Sequence, residues 1–251
     1  SILNKRDVIL AFLIEGDLNK AHDQAMAFWA TLGATKKRDL RVLANNTTGM
    51  PVCYYGTDSY STKCAMLEGA GALPNDELPA GQTMVLGWSG SIRITAAHAF
   101  YVDTSPKDIA KYNADVRSFA REVVVFYVYG LVSRAKGGNT VYVKAERHNG
   151  TIRNGSLRGF DYSRPDGGYE AGELAMAHMA AGEPYMSNAD YRLSDRARHY
   201  YVSQFCENCY DIDDERIDMT AVVDSLGGEL KVHANITGVN DCELKVHISR
   251  S

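Results

Sequence analysis

Basic residues concentrate in one stretch of the chain, from Arg134 to Arg164. This stretch holds seven lysines and arginines against two acids, Glu146 and Asp161, so it carries a net charge of +5 in a chain of net charge −4. Guanidinium and ammonium groups bind phosphates, and interleaved aromatic rings stack on bases. The pattern predicts contact with nucleic acid or another phosphorylated ligand through Tyr142, Lys144, Arg147, His148, Arg153, Arg158 and Phe160.

The residue types within the basic stretch indicate separate roles. Arg147, Arg153 and Arg158 would pair with phosphates, while Tyr142 or Phe160 would stack on a base. An alternative needs no ligand: a half-exposed β-meander requires polar side chains on its outer face, and Arg and Lys are common there. Because the positive charge is concentrated in this one stretch of the chain, we favour the binding role.

An acidic segment runs from Glu207 to Asp218, with six carboxylates and a single cation, Arg216. Clustered carboxylates can bind a divalent cation, but the segment lacks the glycine and terminal glutamate of an EF-hand loop. A solvated acidic turn is the simpler expectation. The segment could also complement the basic stretch of a second copy, which would make the protein a structural or assembly protein that forms homo-oligomers.

A single CxxC motif, Cys206 and Cys209, offers two thiols for metal binding. Zinc takes about four ligands, so Cys53 and Cys64, or His199, would have to complete the site. A redox pair is less favoured because no predicted strand leads into the motif. The alternative without a metal is a pair of buried thiols that pack as small apolar groups.

The sequence specifies no reaction. It contains no G-x-S-x-G nucleophile elbow, no P-loop and no Rossmann fingerprint, which disfavours the commonest nucleotide-hydrolysing and hydride-transferring enzymes. An enzyme with a metal or nucleotide site of another kind remains an alternative. Its candidate residues are His98, His148, His178 and the CxxC motif.

Composition indicates an ordinary soluble globular protein. The 251 residues are 45% hydrophobic and 23% charged, which suffices for a sizeable core. No apolar run approaches the roughly 18 residues of a membrane-spanning helix, and the first residues do not resemble a signal peptide. Five cysteines do not form an even disulfide framework. We therefore expect a cytoplasmic protein without a membrane partner.

The pattern of apolar residues predicts an α+β fold that forms one domain over residues 1–251, with a helical N-terminal subregion over 1–40. A helix is predicted from Asp17 to Gly33 and short strands from Arg41 to Ser61, with further strands over 83–86 and 92–102. Further helices are predicted over 4–13 and 167–182, and from about Asp190 or Ser194 to Phe205. The sheet is expected to be mainly antiparallel.

The middle of the chain is harder to assign. Thr104 to Asp108 is a good helix start, and apolar residues at helical spacing follow to Val123. The run Val123–Val128 is compatible with the buried end of that helix or with a central strand, and we favour the helix. A strand is predicted from Asn139 to His148, followed by tight turns at Asn149-Gly150 and Asn154-Gly155.

The end of the chain contains the string Glu-Leu-Lys-Val-His twice, at 229–233 and 243–247. Side chains alternate between the two faces of a strand, so Leu230, Val232, Leu244 and Val246 share one face and the charged residues share the other. This pattern predicts a closing β-hairpin with one core face.

Taken together, the sequence favours an intracellular accessory protein of a kind that viruses encode. Such a protein would bind nucleic acid or a phosphorylated ligand through a basic β-meander. The assembly protein and the enzyme are the two alternatives. Zinc is the one cofactor that the residues suggest.

Overall fold

The fold is described from a computed structural model. It describes residues 13–15, 18–30, 38–59, 64–66, 76–104, 118–133, 138–153, 156–158, 195–210 and 214–251. The helix predicted over 167–182 lies outside these residues, as does most of the one predicted over 4–13.

Two β-sheets make up most of the described structure. The first contains β1 (Leu13–Glu15), β2 (Arg38–Thr47), β4 (Cys64–Met66), β6 (Gln82–Gly90), β11 (Asp218–Ser225), β12 (Gly228–Gly238) and β13 (Asp241–Arg250). The second contains β3 (Val52–Ser59), β5 (Glu77–Leu78), β7 (Arg93–Asp103), β8 (Ser118–Ser133), β9 (Thr140–Arg153) and β10 (Ser156–Arg158).

The strands of both sheets are mainly antiparallel. The first sheet has the order β1-β6-β2-β13-β12-β11, with β4 also paired to β6, and the second has the order β10-β9-β8-β7-β3-β5. The exception is β13, which pairs in parallel with β2. Together with helices α1 (Leu18–Trp29) and α2 (Asp195–Tyr210), this arrangement confirms the α+β class, an antiparallel meander in mid-chain, which β8, β9 and β10 form, and the C-terminal hairpin.

The two sheets pack face to face around a common apolar core. Inward-facing residues of the first sheet, such as Leu40 and Leu244, meet Phe126 and Val128 of the second, and all four are fully buried. Gly130 of the second sheet packs tightly against the first, because a Cβ atom there would lie 3.1 Å from the Leu244 Cδ2 atom.

One helix covers part of the outer face of each sheet. Ala21 and Ala25 of α1 pack on Leu43 and Val85 of the first sheet. On the second sheet, α2 packs its own apolar residues against a set of buried side chains on β3, β7 and β8. The result is a sandwich with four layers where the helices lie.

The closing hairpin has the predicted faces. His233 lies opposite His247, and Leu230, Val232, Leu244 and Val246 are all fully buried. Gly238 turns the chain with φ of 99°, in the left-handed region that favours glycine. A side chain there would also collide with the backbone of Asp241.

The predicted helical end at Val123–Val128 is wrong, because these residues lie in the middle of β8. Val124, Phe126 and Val128 face the other sheet, while Val123, Val125 and Tyr127 face α2. A strand buried on both faces loses the alternation of polar and apolar residues that identifies a half-exposed strand. The β-branched and aromatic composition was the better guide.

The tight turn predicted at Asn149-Gly150 is also wrong. Both residues continue β9, where Asn149 pairs with Glu122 and Gly150 with Arg121. The second predicted turn, at Asn154-Gly155, lies outside the described residues, although Arg153 and Ser156 on either side of it form an antiparallel pair.

Candidate functional site

Part of the basic stretch lies under helix α2. The Tyr142 ring lies 6.2 Å from the Phe205 ring of α2, measured between centroids. The Lys144 Nζ atom lies 5.9 Å from the centroid of the Tyr127 ring and forms an ion pair with Glu146. These two predicted ligand residues therefore contribute to the packing between the helix and the second sheet.

Arg147 lies on the opposite face of β9, because side chains alternate along a strand. Its Nε atom is 3.7 Å from the Glu122 Oε2 atom, and its side chain is 46% exposed. Glu122 is buried and accepts hydrogen bonds from the Thr104 hydroxyl, at 2.5 Å, and from the Leu226 backbone N–H, at 2.7 Å. The structure thus separates Arg147 from Lys144.

The remaining predicted ligand residues are placed only through their backbone. His148 and Arg153 lie on β9, and Arg158 lies on β10 opposite Thr151, two positions along the ladder from Arg153. Phe160 lies outside the described residues.

The acidic segment lies against its own chain at the start of β9. Val141 donates its backbone N–H to the Arg216 carbonyl at 2.6 Å, and the Thr140 hydroxyl donates to the Asp214 carbonyl at 2.5 Å. Asp214 also pairs with Arg216 at 3.0 Å. The described part of this segment therefore meets the basic stretch within one molecule.

The two thiols of the CxxC motif lie on the buried face of α2. Burial raises the pKa of the Cys209 thiol to about 12, and Cys206 adds to the rise. A thiolate is the form that binds zinc, and burial favours the protonated thiol. In the part of the chain that the structure describes, no three His, Cys, Asp or Glu side chains group in a way that would hold a metal ion.

His98 lies in the core between the sheets. Trp88 of the first sheet donates its indole N–H to the His98 Nε2 atom at 2.7 Å, and the Tyr54 hydroxyl lies 3.1 Å from Nδ1. His98 is fully buried, and burial lowers its pKa to about 3. With both ring nitrogens engaged and no exposure, His98 is not placed to act as a general base on a ligand.

The paired histidines of the closing hairpin lie on the outer face of the first sheet. His233 contacts Asp218 through Nε2 at 2.9 Å, and His247 contacts the Thr47 hydroxyl through Nε2 at 2.7 Å. This row is on a different sheet from Arg147, which faces the space between the sheets. The hairpin histidines therefore do not extend the basic stretch.

One end of the sandwich carries apolar side chains at the tips of two turns. Ile92 lies in the turn between β6 and β7 and is 52% exposed, and Val239 lies in the turn between β12 and β13 and is 63% exposed. We call this end, defined by Ile92 and Val239, the apolar end. Sequence reasoning missed it, although an apolar residue inside a turn of Ser, Gly or Asn is a readable signal.

Strand β2 brings the two tips together. Arg38 at its start pairs with Gly90, just before the first turn, and Asp39 donates its N–H to the Asn240 carbonyl in the second turn at 2.9 Å. Neighbouring strands lie about 4.8 Å apart, so turns on either side of β2 are roughly 10 Å apart. Ile217, 51% exposed, lies nearby, because its carbonyl accepts the Ile236 N–H.

The opposite end provides a comparison. Leu226, in the turn between β11 and β12, is 57% exposed, but its backbone is bound to Glu122. Val222 is exposed to a similar degree on edge strand β11. These residues resemble Ile92 and Val239 in size and exposure while lying elsewhere on the molecule.

No helix among the described residues is both long enough and apolar enough to cross a bilayer. Scans against protein-family models and against curated proteins found no match to this chain. Among solved structures, the chain is similar to the crystal structure of the lipid binding protein Nakanori, with a TM-score of 0.50 and 11% sequence identity. The likeness covers 92% of this chain and 80% of that one. It shows a shared fold.

Proposed function

We propose that this protein binds the surface of lipid bilayers through its apolar end. The observation that carries the proposal is the pair of branched aliphatic side chains, Ile92 and Val239, more than half exposed at the tips of adjacent turns. Such side chains gain free energy when they leave water for the boundary between headgroups and acyl chains. The structurally similar Nakanori is a lipid binding protein, which supports the same function.

The size of the effect follows from the exposed area. Full burial of a Val or Ile side chain is worth about 1.5–3 kcal/mol, and these two are already partly covered by their own turns. Each would contribute roughly 1–1.5 kcal/mol on insertion. Removing both should therefore cost about 2–3 kcal/mol and weaken binding to vesicles by roughly 30-fold to 150-fold.

The test is co-sedimentation with vesicles of phosphatidylcholine, alone or mixed with phosphatidylserine. The double variant Ile92→Ser with Val239→Ser should lose binding to both kinds of vesicle. The matched control is Leu226→Ser with Val222→Ser, which removes aliphatic side chains of similar exposure away from the apolar end. Equal binding by the two double variants would refute the proposal.

A second candidate is contact with a phosphorylated ligand through Arg153 and Arg158, which the pairing of β9 and β10 places two ladder positions apart. Binding of this kind falls steeply as salt rises, because it releases counterions. Attachment by apolar insertion does not. Charge reversal at both arginines, with binding of single-stranded DNA and RNA measured at low and high salt, separates the two functions.

A further inference from the structure

The hydrogen bond between Trp88 and His98 joins the two sheets. Trp88 is on β6 of the first sheet and His98 is on β7 of the second, and the turn that connects these strands carries Ile92. The Trp88–His98 bond therefore links the two strands that precede and follow the crossing from one sheet to the other. Trp88 and Tyr54 are buried almost completely, and His98 fully.

The geometry fixes the position of the proton on His98. An indole N–H can only donate, so Nε2 must accept the bond from Trp88 without a proton of its own. The neutral ring then carries its proton on Nδ1 and donates it to the Tyr54 hydroxyl. A second proton, on Nε2, would point at the indole N–H and abolish the bond between the sheets.

The surroundings of His98 offer no compensation for a positive charge. From β3 the ring faces Tyr54, and from β6 it faces Trp88. Its neighbour on β8 is Val128. The charge of Asp76 acts on this network by adding to the rise in the pKa of Tyr54, which burial mainly causes. Among the described residues, no carboxylate contacts the ring.

We propose that His98 acts as an acid-sensitive latch. At neutral pH its bond to Trp88 holds β6, β7 and the turn that carries Ile92 in place, and protonation of His98 breaks this bond. The part of this inference that concerns lipid rests on the proposed function. When the bond breaks, the turn at the apolar end is freed, and binding to bilayers becomes stronger in acid. The latch itself does not depend on lipid.

The direction and size of the pH effect follow from the linkage between protonation of His98 and opening of the latch. The ordinary pKa of a histidine is 6.5, and burial lowers that of His98 to about 3. The closed state therefore keeps its full stability above pH 6.5 and loses it as the pH falls from 6.5 towards 3. Over this window the ratio of open to closed molecules rises about tenfold per pH unit.

The direct test compares unfolding by urea at about pH 7.5 and pH 4.5, without lipid, in the wild type and in His98→Gln. Between these values the unfolding equilibrium constant of the wild type should rise on the order of 100-fold more than that of the variant. His233→Gln, which removes a half-exposed histidine on the outer face, is the control and should keep the wild-type response. An identical pH response in wild type and His98→Gln would overturn the latch.

A second measurement uses the wild type alone and so does not depend on whether the variant folds. In histidine-labelled protein, NMR should show His98 as the neutral ring protonated at Nδ1, with no titration between about pH 5 and pH 8. A fully reversible titration near pH 6.5 in the folded protein would contradict the proposal.

The part that concerns lipid is tested by co-sedimentation with phosphatidylcholine vesicles at about pH 7.5 and pH 5. Wild-type binding should increase in acid, and His98→Gln binding should not. If urea unfolding shows the larger pH response of the wild type but the protein binds vesicles at neither pH, the proposed function fails and the latch stands. If vesicles bind but acid changes wild type and variant alike, the regulatory link is wrong and the proposed function stands.

Discussion

At the scale of single residues, Arg147 of the basic stretch has an ion-pair partner that is distant in the sequence. The type and neighbours of Arg147 predict a phosphate ligand, yet its guanidinium lies 3.7 Å from Glu122, which is 25 positions away in the chain. The pairing of β8 with β9 creates this contact, and no local pattern announces it. Residue types correctly indicated strong charges here, but the location of the acid depends on the register of two strands.

Glu122 and Arg147 should differ sharply in their effect on stability. Glu122→Ala removes the acceptor of the buried Thr104 hydroxyl and of the part-buried Leu226 N–H, and should lower the free energy of unfolding by about 2–3 kcal/mol. Arg147→Ala removes a half-exposed partner and should cost less than about 1 kcal/mol. Urea denaturation at neutral pH measures both. Equal losses would mean that the ion pair, rather than the buried hydrogen bonds, stabilises this end of the sandwich.

At the scale of elements, half-exposed segments were easier to predict than buried ones. The closing hairpin alternates polar and apolar residues, and its core face matches the sequence pattern. Strand β8 is covered by a sheet on one face and by α2 on the other, so its sequence is apolar throughout. Helix α2 begins at Asp195, close to its predicted start, but the side chains it covers could not be read from its own residues.

The contact between α2 and the second sheet depends on Phe205. Its ring is buried and lies 5.1 Å from that of Tyr127 and 6.2 Å from that of Tyr142. Phe205→Ala should lower the free energy of unfolding by about 3–5 kcal/mol. The control Glu207→Ala changes an exposed residue on the same helix and should shift it by less than about 0.5 kcal/mol. Thermal unfolding followed by circular dichroism would show the difference, and similar melting temperatures would contradict this packing.

At the scale of the whole molecule, the apolar end exists only once the strands are ordered. Ile92 and Val239 are 147 positions apart in the sequence, and each alone is an ordinary exposed residue. They become neighbours because β2 lies between β6 and β13, and the parallel pairing of β2 with β13 has no signature in either strand. The site therefore follows from topology, whereas the sequence directed attention to charge.

The measurement that tests bilayer binding most directly is the fluorescence of a tryptophan placed at the apolar end. The native Trp29 and Trp88 are buried, so the spectrum of Val239→Trp, with that of the parent protein subtracted, reports on the turn itself. On addition of phosphatidylcholine vesicles, emission from Val239→Trp should shift to shorter wavelength, while emission from Leu226→Trp at the opposite end should stay constant. A constant spectrum from Val239→Trp, or an equal shift at both ends, would contradict attachment through the apolar end.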